Sequence, residues 1–203
     1  MRAFAGAYRW VFGLLGLVTV AIGYWDRVVD AHASAINYFS FFTILSNIGA
    51  SVLLLCGGWP WSRRPDFLRG AFTVYMVITG LVSALLLVNT EVHGPAWIND
   101  VVHVVMPVVI VLDWLLMPPA TRIGVNRAML WLIFPLAYVT YSEVRGPFAH
   151  WYPYPFLDPR PHGVLHVVVY GIGIAVAFVL VSLAVAWSGD RLGDRLRGRR
   201  ITL

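Results

Sequence analysis

H-G-V-L-H-V-V-V-Y-G-I-G-I-A-V-A-F-V-L-V-S-L-A-V-A-W, residues 162–187, runs without a single Asp, Glu, Lys or Arg. A bilayer's hydrocarbon layer takes roughly 20 apolar residues of helix to cross, so this run reads as a membrane span. Working back towards the N-terminus, five further apolar segments fall near 7–24, 37–56, 67–88, 98–117 and 127–143. Composition agrees: hydrophobic residues are 59% of the chain and charged ones 12%, with a mean hydropathy of +0.74, against about 25% charged in soluble domains. The expected fold is an all-α polytopic membrane protein with six transmembrane helices in one domain, 1–203. The first segment continues past the ~7–15-residue core of a signal peptide with no small-x-small cleavage site after it. It is expected to be a retained helix.

Charge sets the expected orientation. All fifteen basic residues are Arg. Arg2, Arg9, Arg63, Arg64, Arg69, Arg122, Arg127, Arg191, Arg195, Arg197, Arg199 and Arg200 would share one side, leaving Arg27, Arg145 and Arg160 on the other. The positive-inside rule then puts both termini in the cytoplasm. The net charge of +5 suits anionic headgroups, so membrane lipids are the expected partners and nucleic acid is not. The lone Cys56 excludes an intramolecular disulfide and a cysteine-rich metal site. Without Lys there is no retinal-type Schiff base. No cofactor or metal is expected, and the oligomeric state stays open.

Two of the spans carry polar groups where hydrocarbon tolerates them least. One begins N-Y-F-S-F-F-T-I-L-S-N (37–47), the other N-D-V-V-H-V-V-M-P (99–107). With the N-terminus inside, both enter from the outer side. At 1.5 Å per residue, Thr43 lies roughly 9 Å and His103 roughly 8 Å below the start of its helix. A hydroxyl beside an imidazole is the minimum for nucleophilic catalysis. Asn47 and Ser46 lie near Thr43 on its helix, and an amide can donate to an oxyanion. Asp100, three residues before His103, is placed to orient the imidazole in a Thr–His–Asp relay. His166, Asn89 and Glu143 fall at similar depth and complete an expected outer pocket. The connection V-R-G-P-F-A-H-W-Y-P-Y-P-F-L-D-P-R-P (144–161), rich in proline and aromatics, suits the headgroup layer as a lid.

The bland alternatives weigh against this. A membrane Thr usually bonds back to its own helix, and Asn47 and Asn89 serve as interhelical glue. A second class of function is therefore a non-enzymatic lipid-binding, transport or scaffold protein. A transporter would extend a polar path towards Asp113, and a scaffold would have no cavity.

F-F-T-I-L-S-N (41–47), H-V-V-M-P-V-V-I-V-L-D-W (103–114) and W-Y-P-Y-P-F-L-D-P (151–159) resemble, in this order, the bacterial six-helix membrane proteins of the Pr6Pr family. These are similar to the FAR-17a/AIG1-like family, whose animal members are threonine hydrolases of fatty acid esters of hydroxy fatty acids. The resemblance implies that Thr43 is the nucleophile and His103 its partner. It also implies a long-chain lipid ester as substrate and a bacterial plasma membrane as location.

Overall fold

The computed structural model describes residues 2–58, 65–88 and 94–201, with side chains from 4 to 195 within those ranges. Asn89, Arg63 and Arg64 lie outside them, and so do the side chains of Arg2, Arg197, Arg199 and Arg200. Among the described residues all regular structure is helical. The elements are α1 (Arg2–Tyr24, extended by a wide π-helical turn, Trp25–Asp30), α2 (Ala35–Phe39), α3 (Phe42–Gly58), α4 (Asp66–Leu86) and α5 (Ala96–Asp100). A second π-helical turn (Val101–Val105) leads into α6 (Met106–Leu116), followed by α7 (Gly124–Met129), α8 (Ile133–Ala149) and α9 (Pro159–Ile201).

Among the described residues, four helical stretches are long and apolar enough to cross a bilayer: Phe4–Asp30, Asp66–Leu86, Ala96–Leu116 and Pro159–Arg195. The other two expected spans are shorter and broken. The 37–56 segment is split at Ser40–Phe41, and the 127–143 segment bends through a 3-10 turn at Leu130–Leu132 before α8. The expected lid is also shorter than 144–161, because α8 runs on to Ala149 and carries Pro147 inside it. α8 ends where His150 turns left-handed (φ 49°), and the amides of His150 and Trp151 return to the Gly146 carbonyl. Gly163, at φ 80°, bends the start of α9 in a conformation that costs glycine least.

Two breaks have a local cause: the one at Ser40–Phe41, and a second at the π-helical turn Val101–Val105 in the 98–117 segment. At the first, the Ser40 hydroxyl donates back to the Ile36 carbonyl (2.7 Å) and accepts from the Tyr141 hydroxyl (2.8 Å). The Ser40 carbonyl turns away to accept from the Tyr138 hydroxyl at 2.9 Å. The first amides of α3 are then left without intrahelical partners. In hydrocarbon each would cost several kcal/mol, so two phenols supply acceptors: Tyr138 for Phe42 N–H (3.3 Å) and Tyr154 for Thr43 N–H (3.2 Å). At the second break Pro107 has no amide to offer the His103 carbonyl. The turn widens, and Met106 N–H reaches back five residues to the Val101 carbonyl. Gly80 on α4 lets the helices close here: a Cβ on it would sit 3.2 Å from the His103 carbonyl oxygen.

Phe42 centres the main core. Its ring meets Tyr138 at 5.2 Å, Phe134 at 5.5 Å, and Tyr75 and Phe178 at 5.9 Å. The far end is held differently. Buried Asp113 takes Arg9 (2.6 Å) and Arg69 (2.7 Å), while Arg69 also pairs with Asp66 (2.9 Å). Asp66 in turn accepts from Ala120 N–H. Two arginines and two carboxylates thus cancel in charge while tying α1, α4 and α6 together. Beyond them, Asp190 of α9 accepts from Ile123 N–H (2.7 Å) and Gly124 N–H (3.0 Å), closing the start of α7.

Candidate functional site

Both helix breaks face one another, and the side chains they carry meet. Thr43 Oγ1 lies 3.3 Å from His103 Nε2. On the other side of the ring, His103 Nδ1 lies 3.1 Å from the Asn99 carbonyl oxygen. A carbonyl can only accept, so Nδ1 carries the proton and the lone pair of the neutral imidazole is on Nε2. The Thr43 hydroxyl must then donate to Nε2. That is the tautomer a general base needs, and a backbone carbonyl fixes it. The 3.3 Å separation is at the long end for a hydrogen bond.

A third group enters from the 150–158 connection. Tyr154 Oη is 3.2 Å from Thr43 Oγ1 as well as accepting from Thr43 N–H. Since the only hydroxyl proton of Thr43 goes to His103, Tyr154 is the donor to Oγ1. The phenol is 7% exposed, its ring stacks on Phe156 (5.1 Å, 6°), and Phe41 meets it edge-on (5.7 Å). Burial pushes its pKa above the ordinary phenol value, which keeps it protonated.

Thr43 and Tyr154 stand in the wall between two cavities. The first, about 430 Å³, is lined in part by polar groups: Asp26, Arg27, Ser34, Asn37, Asn99 and His103. The second, about 320 Å³, lies between α4, α8 and α9, and its lining is almost wholly apolar, with Ile78, Val82, Leu136, Ile174 and Phe178. Thr43 is 6% exposed. The positive end of α3 points at the same spot, an arrangement that favours negative charge beside Thr43.

The remaining expected residues take other places. Asp100 is exposed, and the role expected of it falls to the carbonyl of its neighbour Asn99. The Asn99 carbonyl, at i−4, lies within hydrogen-bond reach of the ring nitrogen (3.1 Å). Asn47 is fully buried, and its NH2 donates to the Thr43 carbonyl (2.9 Å) and the Val102 carbonyl (3.1 Å). Both donors are committed, so Asn47 clamps the two breaks together and has none left for an oxyanion. Ser46 is buried and lines neither cavity. His166 does not join His103: it lies half-buried on α9, its ring tilted against those of His162 (4.8 Å) and Tyr170 (4.5 Å). Glu143 is half-buried and lines neither cavity. Asn89 lies outside the described residues. Among the described residues no three His, Cys, Asp or Glu side chains gather to hold a metal.

The 144–161 connection does more than lie at an interface. Tyr154, Phe156 and Leu157 are buried, so its centre is inserted into the bundle. Outside that insert, Arg160 anchors it by pairing with Asp158 (2.6 Å) and donating to the His150 carbonyl (3.0 Å). Arg145 donates to Asn37 (2.6 Å) and lies over the Trp151 ring. Compared with known families, curated proteins and solved structures, the chain finds no match.

Proposed function

We propose that the protein is an intramembrane lipid-ester hydrolase with Thr43 as nucleophile and His103 as general base. The observation that carries this is the directed chain from the Thr43 hydroxyl to Nε2 and from Nδ1–H to the Asn99 carbonyl. In the first step His103 takes the Thr43 proton as Oγ1 attacks the ester carbonyl carbon. The carbon–alkoxy bond breaks, and the alcohol leaves with the proton from His103. Water then attacks the acyl-threonine with the same base, releasing the acid and restoring the hydroxyl. The two cavities suit a substrate with unlike halves: an acyl chain in the apolar one, and an oxygen-rich remainder beside Arg27 and Asn37. A fatty acid ester of a hydroxy fatty acid, the substrate class implied by the family resemblance, has that form.

The membrane arrangement belongs to the same proposal. The chain crosses a bacterial plasma membrane six times, the second and fifth crossings being the broken pairs α2–α3 and α7–α8. Both termini face the cytoplasm. Arg27, Arg145 and Arg160 cluster at the end that carries Thr43, while Arg9, Arg69 and Arg122 are at the opposite end, as the positive-inside rule requires.

The test uses purified full-length protein in detergent micelles, a fluorophosphonate probe and long-chain esters. Wild type is expected to be labelled at Thr43 and to hydrolyse the esters. Thr43→Ala and His103→Ala are expected to do neither. Labelling and turnover that survive either change refute these roles. Ligand uptake without turnover in wild type would favour a lipid-binding protein instead.

A further inference from the structure

We propose that Tyr154 is the third catalytic residue, its phenol donating to the oxyanion formed when Thr43 attacks an ester carbonyl. The inference rests on Thr43 being the nucleophile. Acyl transfer requires a donor aimed at the place where negative charge develops, and such donors are usually the largest single contribution. Among the described residues near Thr43, the obvious amide is unavailable, because both Asn47 N–H groups hold carbonyls. The two leading amides of α3 are likewise held, by the Tyr138 and Tyr154 oxygens. Tyr138 has already given its proton to the Ser40 carbonyl. The Tyr154 proton is the one directed at the reacting oxygen, at 3.2 Å.

The phenol is also tuned for the task. Its oxygen accepts Thr43 N–H, and a hydroxyl that accepts one hydrogen bond becomes a stronger donor in the next. Stacking against Phe156 and the edge of Phe41 fix the ring. Tyr154 lines both cavities, so a carbonyl bridging them at Thr43 lies beside its hydroxyl.

The step balances without any co-reactant except water. At rest, Tyr154 O–H is directed at a lone pair of Oγ1. On attack an Oγ1 pair becomes the new C–O bond, the hydroxyl proton passes to His103 Nε2, and the carbonyl π pair moves onto the substrate oxygen. Oγ1 is now an ether-type oxygen and a poor acceptor, while its geminal neighbour is an oxyanion. The Tyr154 hydrogen swings between two oxygens on the same carbon. When the oxyanion pair re-forms the carbonyl, the alcohol departs with the His103 proton and Tyr154 is unchanged.

The test compares full-length wild type with Tyr154→Phe, and with Tyr154 replaced by fluorotyrosines of stepwise lower phenol pKa. Readouts are kcat, KM, thermal unfolding and the pH dependence of kcat on a medium-chain ester. Tyr154→Phe is expected to lower kcat by about 10²–10³-fold, the range for loss of one oxyanion donor, with much less change in KM. The fluorotyrosines keep the ring in place and still accept Thr43 N–H, so they isolate the donor role even if Tyr154→Phe folds poorly. The alkaline limb of kcat, set by loss of the donated proton, is expected to move to lower pH with each fluorine. An unmoved limb across the series, or a well-folded Tyr154→Phe with kcat within about threefold of wild type, overturns the proposal while leaving Thr43 and His103 standing. Wild type that neither hydrolyses esters nor takes the fluorophosphonate at Thr43 overturns both.

Discussion

A side chain grown into the apolar cavity should shorten the acyl chain the protein accepts. Gly171 of α9 lines this cavity, and a Cβ built on it meets no atom within 4 Å. Gly171→Leu therefore adds four carbons without a clash at its base. It also replaces a poor helix former by a good one, worth up to ~1 kcal/mol in favour of the helix. The cavity holds about 320 Å³. If a methylene fills about the liquid volume of a water molecule, ~30 Å³, that is room for roughly ten carbons. The leucine displaces roughly four of these, each worth ~0.8 kcal/mol when buried, or ~3 kcal/mol for a chain that fills the space. At 1.4 kcal/mol per decade this is about a 10²-fold loss in kcat/KM. A chain too short to reach the leucine loses nothing. The assay is a series of p-nitrophenyl esters from butyryl to dodecanoyl. The variant-to-wild-type ratio is taken at each length, so that partitioning into micelles cancels. The ratio should stay near unity for the short esters and fall steeply for the long ones. A ratio flat across the series would refute the assignment of this cavity to the acyl chain.

Other outcomes follow from the same geometry. Thr43→Ser keeps the hydroxyl and removes the hindering methyl, so ester turnover should survive it, whereas His103→Ala should lower kcat by about 10²–10⁴-fold. Asp113→Ala leaves Arg9 and Arg69 buried without their shared carboxylate. It should cost about 3–5 kcal/mol, read as a large fall in Tm in detergent. Gly80→Leu should drive α4 off the His103 carbonyl and lower fluorophosphonate labelling at Thr43 more than it lowers Tm. Arg160 holds the Asp158 carboxyl below its ordinary pKa. A depressed carboxyl stabilises the fold above its unfolded pKa and loses that contribution only as pH falls through the lower folded value. Protection of 150–158 against hydrogen exchange should therefore persist down to about pH 4 and weaken below it. Asp158→Asn should abolish that dependence.

Much of the helical framework is legible in the sequence because apolar runs of this length have few alternatives. The partnership of two polar anomalies, Thr43 and His103, is legible from their matched depth, and in the folded chain the two side chains touch. What the sequence hides is set by tertiary partners. Nothing in N-Y-F-S-F-F-T announces a helix break, since it holds neither Gly nor Pro; the break exists because Tyr138, Tyr141 and Tyr154 arrive to satisfy the freed groups. Tyr154 itself reads as one more interfacial aromatic in a loop full of them. Its phenol reaching both the amide and the hydroxyl of Thr43 is a matter of register. Asp100 illustrates a different limit. A carboxylate near a histidine attracts attention by its chemistry, yet a carbonyl one residue earlier has the better geometry, and every residue has a carbonyl. Pro107 was the available hint, because a missing amide signals a turn that must reorganise.

The two phenols that hold the start of α3 also impose an order on biogenesis. Thr43 is made 111 residues before Tyr154, and until the 150–158 segment packs, the Thr43 amide lacks the acceptor it has in the folded chain. A nascent chain that holds only its early helices thus carries a Thr43 hydroxyl without its His103 and Tyr154 partners. A ribosome-stalled or truncated product that ends before the 150–158 insert would therefore lack the Tyr154 partner of both the Thr43 amide and the Thr43 hydroxyl.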